Sequence, residues 1–239
     1  GQNVNAYGMD FDGGPDFPAL LRALDKTPRL SRLRYFTSHP RDFTEDMIQA
    51  VGECETVCEH FHLPLQSGSN RILKAMNRGY SRDDYLRLVD RVREVTPDAS
   101  ITTDIIVGFP GESARDFEDT LDMVERCRFD GAFTFIFSPR KGTAAHRMKS
   151  QVDSKTKSLR LQELVEVQGD ITRDLNARYI GKKVEILVES LSEETPNTVK
   201  GRTRTGKTVI AHRCKSVPGD LVDVLIEESG TWYLKGPVV

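Results

Sequence analysis

The stretch TTDIIVGFPGES, Thr102 to Ser113, constrains the fold more than any other part of the chain. Ile105-Ile106-Val107 is an apolar, β-branched run of the kind found in strands buried on both faces. It stops on Gly108-Phe109-Pro110-Gly111-Glu112, and Ser113 with Asp116 then starts a helix. Glycine allows close approach of backbone or ligand, and proline fixes the turn. In α/β folds the C-terminal end of a parallel strand is where ligands bind. The turn after Val107 is therefore a candidate ligand site.

The surrounding sequence repeats this strand–helix pattern. Leu33–Ser38 (LRYFTS) reads as a strand, and Thr44 caps a helix with Met47, Ile48 and Val51 on its apolar face. His60–Leu65 reads as the next strand, followed by a helix over Asn70–Asn77. Ser81-Arg82-Asp83-Asp84 is a capping-box start, and Tyr85, Leu88, Val89, Val92 and Val95 follow at helical spacing. Ser100–Val107 and Ala132–Phe137 are the remaining strands. Alternation of this kind predicts a parallel sheet with right-handed crossovers. Lys155 to about Ile180 predicts one long helix with Leu161, Leu164, Ile171 and Leu175 along a stripe. Beyond Gly181, five short segments separated by Gly, Asn and Pro predict a small antiparallel barrel of OB-like size.

The chain of 239 residues is 38% hydrophobic and 29% charged with a net charge of −2, so its global balance favours neither nucleic acid nor membrane. It has no apolar run of the ~20 residues that a span requires and no signal peptide. It opens on Gly, as if cut from an ongoing strand and loop, and is expected to be part of a longer chain. The four cysteines, Cys54, Cys58, Cys127 and Cys214, form no secreted disulfide framework, which favours a reducing, cytoplasmic setting. Cys54 and Cys58 are read as two cysteines on a helix face. No metal ligand set is expected.

The residues after each predicted strand are polar, glycine-rich or both: Thr37-Ser38-His39-Pro40, Gln66-Ser67-Gly68-Ser69, Gly108 to Glu112, and Ser138-Pro139-Arg140-Lys141-Gly142-Thr143. Four such turns on one rim predict a ligand site. Gln66, Ser67 and Ser69 suit ribose hydroxyls or a zwitterion, and Gly108 leaves room for a flat adenine. No phosphate-loop motif is present, which disfavours nucleoside triphosphates and dinucleotides. His39 and His62 are read as structural hydrogen-bonding groups, and Asp104 as paired with a nearby backbone or arginine group.

Together, LRYFTSHPRDF, HLPLQSGSNRILKAMNRGYSRDDY, TTDIIVGFPGES and FSPRKGTAA resemble the MiaB-type methylthiotransferases of the radical S-adenosylmethionine superfamily, and the tail from about Ile180 resembles a TRAM domain, that family's RNA-binding appendage. The resemblance implies a partial (β/α) barrel over 1–154, a helical connector over 155–180 and a TRAM barrel over 181–239. It places Val107 and Gly108 along the adenine of S-adenosylmethionine and Gln66 and Ser67 at the ribose. Gln2 and Asn3 fall near the methionyl amino group, and Ser138 and Arg140 at the far side of the rim. In that family a reduced cluster cleaves S-adenosylmethionine to an adenosyl radical. The radical takes hydrogen from C2 of a modified adenine, and a methylated sulfur is inserted there.

The family holds two 4Fe-4S clusters on cysteines that do not occur in this stretch. The chain is thus expected to be the C-terminal half of such an enzyme and inactive alone, its first domain marginal in isolation and its TRAM part self-sufficient. Ser67 after Gln66, with TSHPRDF, fits the tRNA enzymes acting on N6-isopentenyladenosine beside the anticodon. Threonylcarbamoyl-adenosine tRNA and a ribosomal protein are the alternative substrates, and a flavodoxin- or ferredoxin-type reductant is implied as partner. A non-catalytic RNA-binding module and a non-radical nucleotide enzyme are the other classes. Independently, Lys200, Arg202, Arg204, Lys207, Arg213 and Lys215 lie in one acid-free stretch and would make a basic face for RNA phosphates.

Overall fold

The computed structural model describes residues 3–10, 12–36, 38–193 and 195–239. Helix α1 (Phe17–Asp25) begins where Asp16 accepts from Ala19 N at 3.0 Å, and α2 (Glu45–Glu53) where Thr44 Oγ1 accepts from Met47 N at 3.3 Å. Strand β1 (His60–His62) leads through α3 (Asn70–Ala75) and α4 (Arg82–Val95) to β2 (Ser100–Val107), α5 (Ala114–Cys127) and β3 (Gly131–Ile136). Ser81 with Asp84 and Ser113 with Asp116 close full capping boxes at the starts of α4 and α5. The three strands pair in parallel in the order β1-β2-β3. The long predicted helix is α6 (Ser154–Ala177), capped by Asp153.

The structure corrects three expectations here. The described residues of Leu33–Ser38 do not form a strand ladder. They are tied to β1's approach by Leu33 N to Thr56 O (2.7 Å) and Cys58 N to Leu33 O (2.9 Å), and to β1 itself by Ser38 N to His62 O (3.2 Å). Between these anchors Tyr35 turns edge-on to Phe17, and Arg34 reaches Thr203 O. Strand β1 is shorter than His60–Leu65 because Leu65 N donates to the Thr103 hydroxyl at 2.9 Å rather than to a β2 carbonyl, and pairing resumes only at a Gln66–Ile105 bridge. Strand β2 is not buried on both faces: Ile101, Thr103, Ile105 and Val107 are buried against the helices, whereas Thr102, Asp104 and Ile106 alternate onto a half-open inner face.

Cys58 is also not on a helix face. Helix α2 ends at Glu53, Cys54 is its extended C-cap, and Cys58 lies on the approach to β1. Both are buried, which raises their thiol pKa values above the ordinary range. Cys127 is pushed up to about 12 by burial.

The second domain consists of β4 (Lys183–Leu191), β5 (Thr198–Arg202), β6 (Thr208–His212), β7 (Leu221–Leu225), β8 (Glu228–Ser229) and β9 (Leu234–Pro237). Their order is β7-β4-β5-β6-β9-β8, and a Val224–Val238 bridge curls the sheet back on itself. The barrel is mixed rather than wholly antiparallel, because β6 and β9 run parallel. Its core, with Ile186, Val188, Val199, Val209, Val224 and Leu234, is distinct from that of the first domain. Leu164 and Ile171 of α6 belong to the first domain's core, so α6 packs as one of that domain's helices.

The barrel docks at the N-terminal ends of β1–β3. Arg204 grips Glu59 through Nε and Nη2 at 2.6–3.1 Å and also donates to Val57 O. Arg32 donates to Arg202 O and pairs with Glu185 at 2.7 Å. Lys207, 8% exposed, lies 2.6 Å from Asp130 Oδ1, while Asp130 Oδ2 accepts from Ile101 N at 3.0 Å. Removing one member of a buried ion pair strands the other charge. Asp130→Ala is therefore expected to lower unfolding free energy by about 3 kcal/mol, against less than about 0.5 kcal/mol for Lys183→Ala, whose Asp223 pair is exposed. Urea denaturation midpoints at pH 7 check both.

Candidate functional site

At the opposite, C-terminal edge of the sheet lies a cavity of about 630 Å³, a size typical of small-molecule sites. Gln66, Asp104, Ile106, Phe135, Ser138 and Arg140 line it, together with Thr143 and Ala145 of the following loop. Register explains the grouping. Asp104 pairs with Phe133 and Ile106 with Phe135, so these side chains share the inner face. His62 stacks on Phe36 there at 4.7 Å, and its Nε2 lies 3.4 Å from Asp104 Oδ1.

Gln66 has a left-handed φ of 68°, an uncommon geometry for a non-glycine residue. The conformation holds because Gln66 N donates to Asp104 O and Gln66 O accepts from Ile106 N, at 2.8 and 2.9 Å. Its side chain is 6% exposed, and Oε1 is buried without a hydrogen-bond partner. A buried acceptor of that kind is costly unless something supplies a donor. Asp104 and Arg140 add one charge of each sign to the same cavity. The donor set therefore fits a zwitterionic nucleoside such as S-adenosylmethionine.

Of the residues expected to hold that cofactor, the structure brings Gln66, Ser138 and Arg140 to the cavity. Ser67 is fully buried with Oγ 3.5 Å from Thr120 Oγ1, and Val107 packs in the core. Gly108, at φ 74°, is covered by the Lys157 side chain, whose Nζ donates to Phe137 O at 3.1 Å. Its backbone N–H donates to Glu112 Oε1, which also pairs with Arg160 at 2.6 Å. Burial pushes the Glu112 carboxyl above its ordinary pKa, opposed by the Gly108 N–H and Arg160. The GFPGE turn thus docks α6. Asn3 stands at the rim, its Oδ1 accepting from His39 N at 3.3 Å. Gln2 lies outside the described residues. Thr143, in the fourth of the predicted rim turns, also lines the cavity, whereas Asp104, Ile106 and Phe135 are not among the site residues expected from sequence, although the alternation in AFTFIF is a visible signal for Phe135.

The basic residues divide. Lys200 and Arg202 project outward from β5, and Arg213 and Lys215 are exposed after β6. Arg202 also meets Glu189 at 3.2 Å. Arg204 and Lys207 instead face the first domain through Glu59 and Asp130. Among the described residues no cluster of three or more His, Cys, Asp or Glu side chains could hold a metal ion. The four cysteines are buried and do not fit an iron–sulfur cluster. No described helix is long and apolar enough to cross a membrane.

A parallel β/α sheet with a nucleoside-sized cavity at its C-terminal edge, followed by a small barrel, matches two families. Residues 1–124 match the Radical SAM superfamily and 177–239 the TRAM domain, so the chain belongs to the radical SAM superfamily and carries a TRAM domain. It is 48% identical over its full length to the tRNA-2-methylthio-N(6)-dimethylallyladenosine synthase of Acetivibrio thermocellus, covering 50% of that protein. It is 49% identical, again over its full length, to the synthase of that name from Moorella thermoacetica, covering 54% of it. The chain thus spans about half the length of the curated relatives it matches. Among solved structures, coproporphyrinogen III oxidase from Escherichia coli aligns at TM-score 0.49 and 20% identity, over 56% of this chain and 31% of that one.

Two outcomes follow from this geometry. A Cβ on Gly108 would overlap Lys157 at a left-handed backbone position, so Gly108→Ala is expected to cost about 1–3 kcal/mol, measurable by thermal denaturation. His60 is lowered to about 4, by burial first and then by Arg34 and His62. Its folded pKa lies below its unfolded one, so the stability it contributes is present above about pH 6.5. That contribution is lost as pH falls through about 4. Denaturation midpoints should decline across this window, and His60→Gln should flatten the decline.

Proposed function

We propose that the protein to which this chain belongs adds a methylthio group to C2 of N6-isopentenyladenosine beside the anticodon of tRNA. The full-length alignment with synthases bearing that name carries the reading. The lined cavity at the end of the sheet supports it independently. S-adenosylmethionine, when bound, supplies the adenosyl group that abstracts hydrogen. The cluster that reduces it would rest on cysteines in the other half of the relatives' length.

The residues in this chain would bind and orient. Gln66, Ser138 and Arg140 would hold the nucleoside cofactor, Gln66 Oε1 accepting from a ribose hydroxyl. Asp104 would attract a cationic ammonium. Val107 and Gly108 would contribute at most backbone, and Ser67 would brace the turn from beneath. Phe36, Phe133 and Phe135, each between 52% and 54% exposed on the inner face, offer flat apolar surface where an adenine can lie away from water. Lys200, Arg202, Arg213 and Lys215 would hold RNA phosphates. A flavodoxin- or ferredoxin-type reductant and a cytoplasmic setting complete the reading.

The test is anaerobic reconstitution with iron and sulfide of this chain and of a chain extended upstream to the relatives' length. Each is given tRNA bearing isopentenyladenosine, S-adenosylmethionine and reductant, and the nucleosides are analysed by mass spectrometry. The methylthio product is expected from the extended chain alone. Arg140→Ala should reduce its kcat/KM on the order of tenfold or more, the loss of one charged hydrogen bond. An extended, cluster-loaded protein that leaves this tRNA unmodified would sink the reading.

A further inference from the structure

The loop over 138–153 carries more positive charge than cofactor binding uses, since Arg140 alone of its cations lines the cavity. From Gly131 to Val152 the sequence contains no Asp or Glu, while Arg140, Lys141, Arg147 and Lys149 fall together. All four are exposed, and none has an ion-pair partner among the described residues. Three other arginines at this end of the fold are engaged internally: Arg71 with Asp116, Arg82 with Asp122, Arg160 with Glu112. The nearest acidic residue in the preceding turn, Glu112, is buried and bonded.

The loop is also built. Thr143 Oγ1 donates to Arg140 O at 2.8 Å, and His146 N donates to Thr143 Oγ1 at 3.2 Å. Gln151 Nε2 donates to Ala145 O and Met148 O, and Gly111 N donates to Ser150 O at 2.6 Å. A scaffolded row of unpaired cations at the mouth of a nucleoside cavity is a polyanion contact in search of its anion. The barrel's exposed cations lie at the other end of α6, whose 24 residues span about 36 Å.

We propose that Lys141, Arg147 and Lys149 form a second RNA-backbone grip, separate from the barrel's basic face, on phosphates flanking the nucleotide that enters the cavity. The inference rests on the tRNA reading above. It adds that the RNA is held at both ends of the sheet, and so must be a folded element long enough to span them.

The experiment measures binding of a synthetic anticodon stem-loop RNA to the chain extended upstream to the relatives' length, by fluorescence anisotropy across a salt series. It compares wild type with a Lys141→Ala/Arg147→Ala/Lys149→Ala variant and a Lys200→Ala/Arg213→Ala/Lys215→Ala variant. Each phosphate contact contributes roughly 0.7–0.9 to the slope of log affinity against log salt, so the loop variant should lose about 2 to 3 of slope. It should also bind about tenfold or more weakly near 0.1 M salt. The effects of the two triple variants should add in the combined protein. An unchanged loop variant beside a weakened barrel variant overturns the second grip and leaves the tRNA reading standing. Failure of wild type to bind the RNA overturns both. Circular dichroism melts shared by all variants confirm that the exposed substitutions leave the fold intact.

Discussion

The carboxylate of Asp130 sits where β2, β3 and the second domain meet, and most of the architecture depends on it. One oxygen accepts from the Ile101 backbone and fixes the start of β2 against the start of β3. The other faces Lys207 across the domain boundary. Lys207 is buried and Asp130 half-buried, so with the barrel docked the loss of either would leave the other charge unpaired and poorly solvated. Arg204 on Glu59 and Arg32 on Glu185 extend the seam on either side. This seam closes the N-terminal end of the sheet with polar contacts and leaves the C-terminal end open. That polarity places the cavity and the barrel at opposite ends of β2.

Helix α6 makes the polarity structural. At its first turns Lys157 covers Gly108 and Arg160 reaches Glu112. Near its last turn Asn176 donates to Gly230 O and Thr231 O of the second domain. Leu164, Gln168 and Ile171 in between are buried in the first domain, with Gln168 donating to Phe129 O at 2.8 Å. One rigid element thus sets the distance between the cavity rim and the barrel.

Local signals in the sequence translated well. Capping residues lie three positions from their partners, so Ser81/Asp84 and Ser113/Asp116 were legible, as was the helix behind Thr44. The β/α alternation and the change to short β segments after Gly181 were legible for the same reason. Helix α1 passed unnoticed, although Asp16 and the early proline mark its start. What could not be read was pairing over long separation. Arg204 meets a carboxylate 145 positions away, and no local pattern separates it from Lys200 or Arg202. The parallel β6–β9 pair and the failure of Leu33–Ser38 to join the sheet have the same origin. In the candidate site, chain position located the rim but not the direction of side chains: Gln66 and Ser67 are adjacent, yet one lines the cavity and the other faces α5.

The left-handed backbone at Gln66 shows how that division arises. In a regular strand Gln66 and Ser67 would alternate, but the ladder is already interrupted at Leu65, whose N–H donates to the Thr103 hydroxyl. The chain then bonds to both Asp104 and Ile106 through one residue's N–H and carbonyl. This fixes Gln66 over the inner face and turns the following residues back toward α5. There Ser69 donates to Asp116 at 2.6 Å, and Thr120 Oγ1 accepts from Gly68 N at 2.9 Å. Burial works against the Asp116 carboxylate, but Arg71 and the Ser113 and Ser69 hydroxyls outweigh it and hold its pKa well below the ordinary value. The carboxylate is therefore held charged below the pH at which an ordinary aspartate takes up its proton. Gly68 has no room for a side chain, since a Cβ there would overlap the α5 backbone. An irregular strand end, a charged anchor and a glycine contact together keep one amide over the inner face beside Asp104 and Ile106, with its oxygen unpaired.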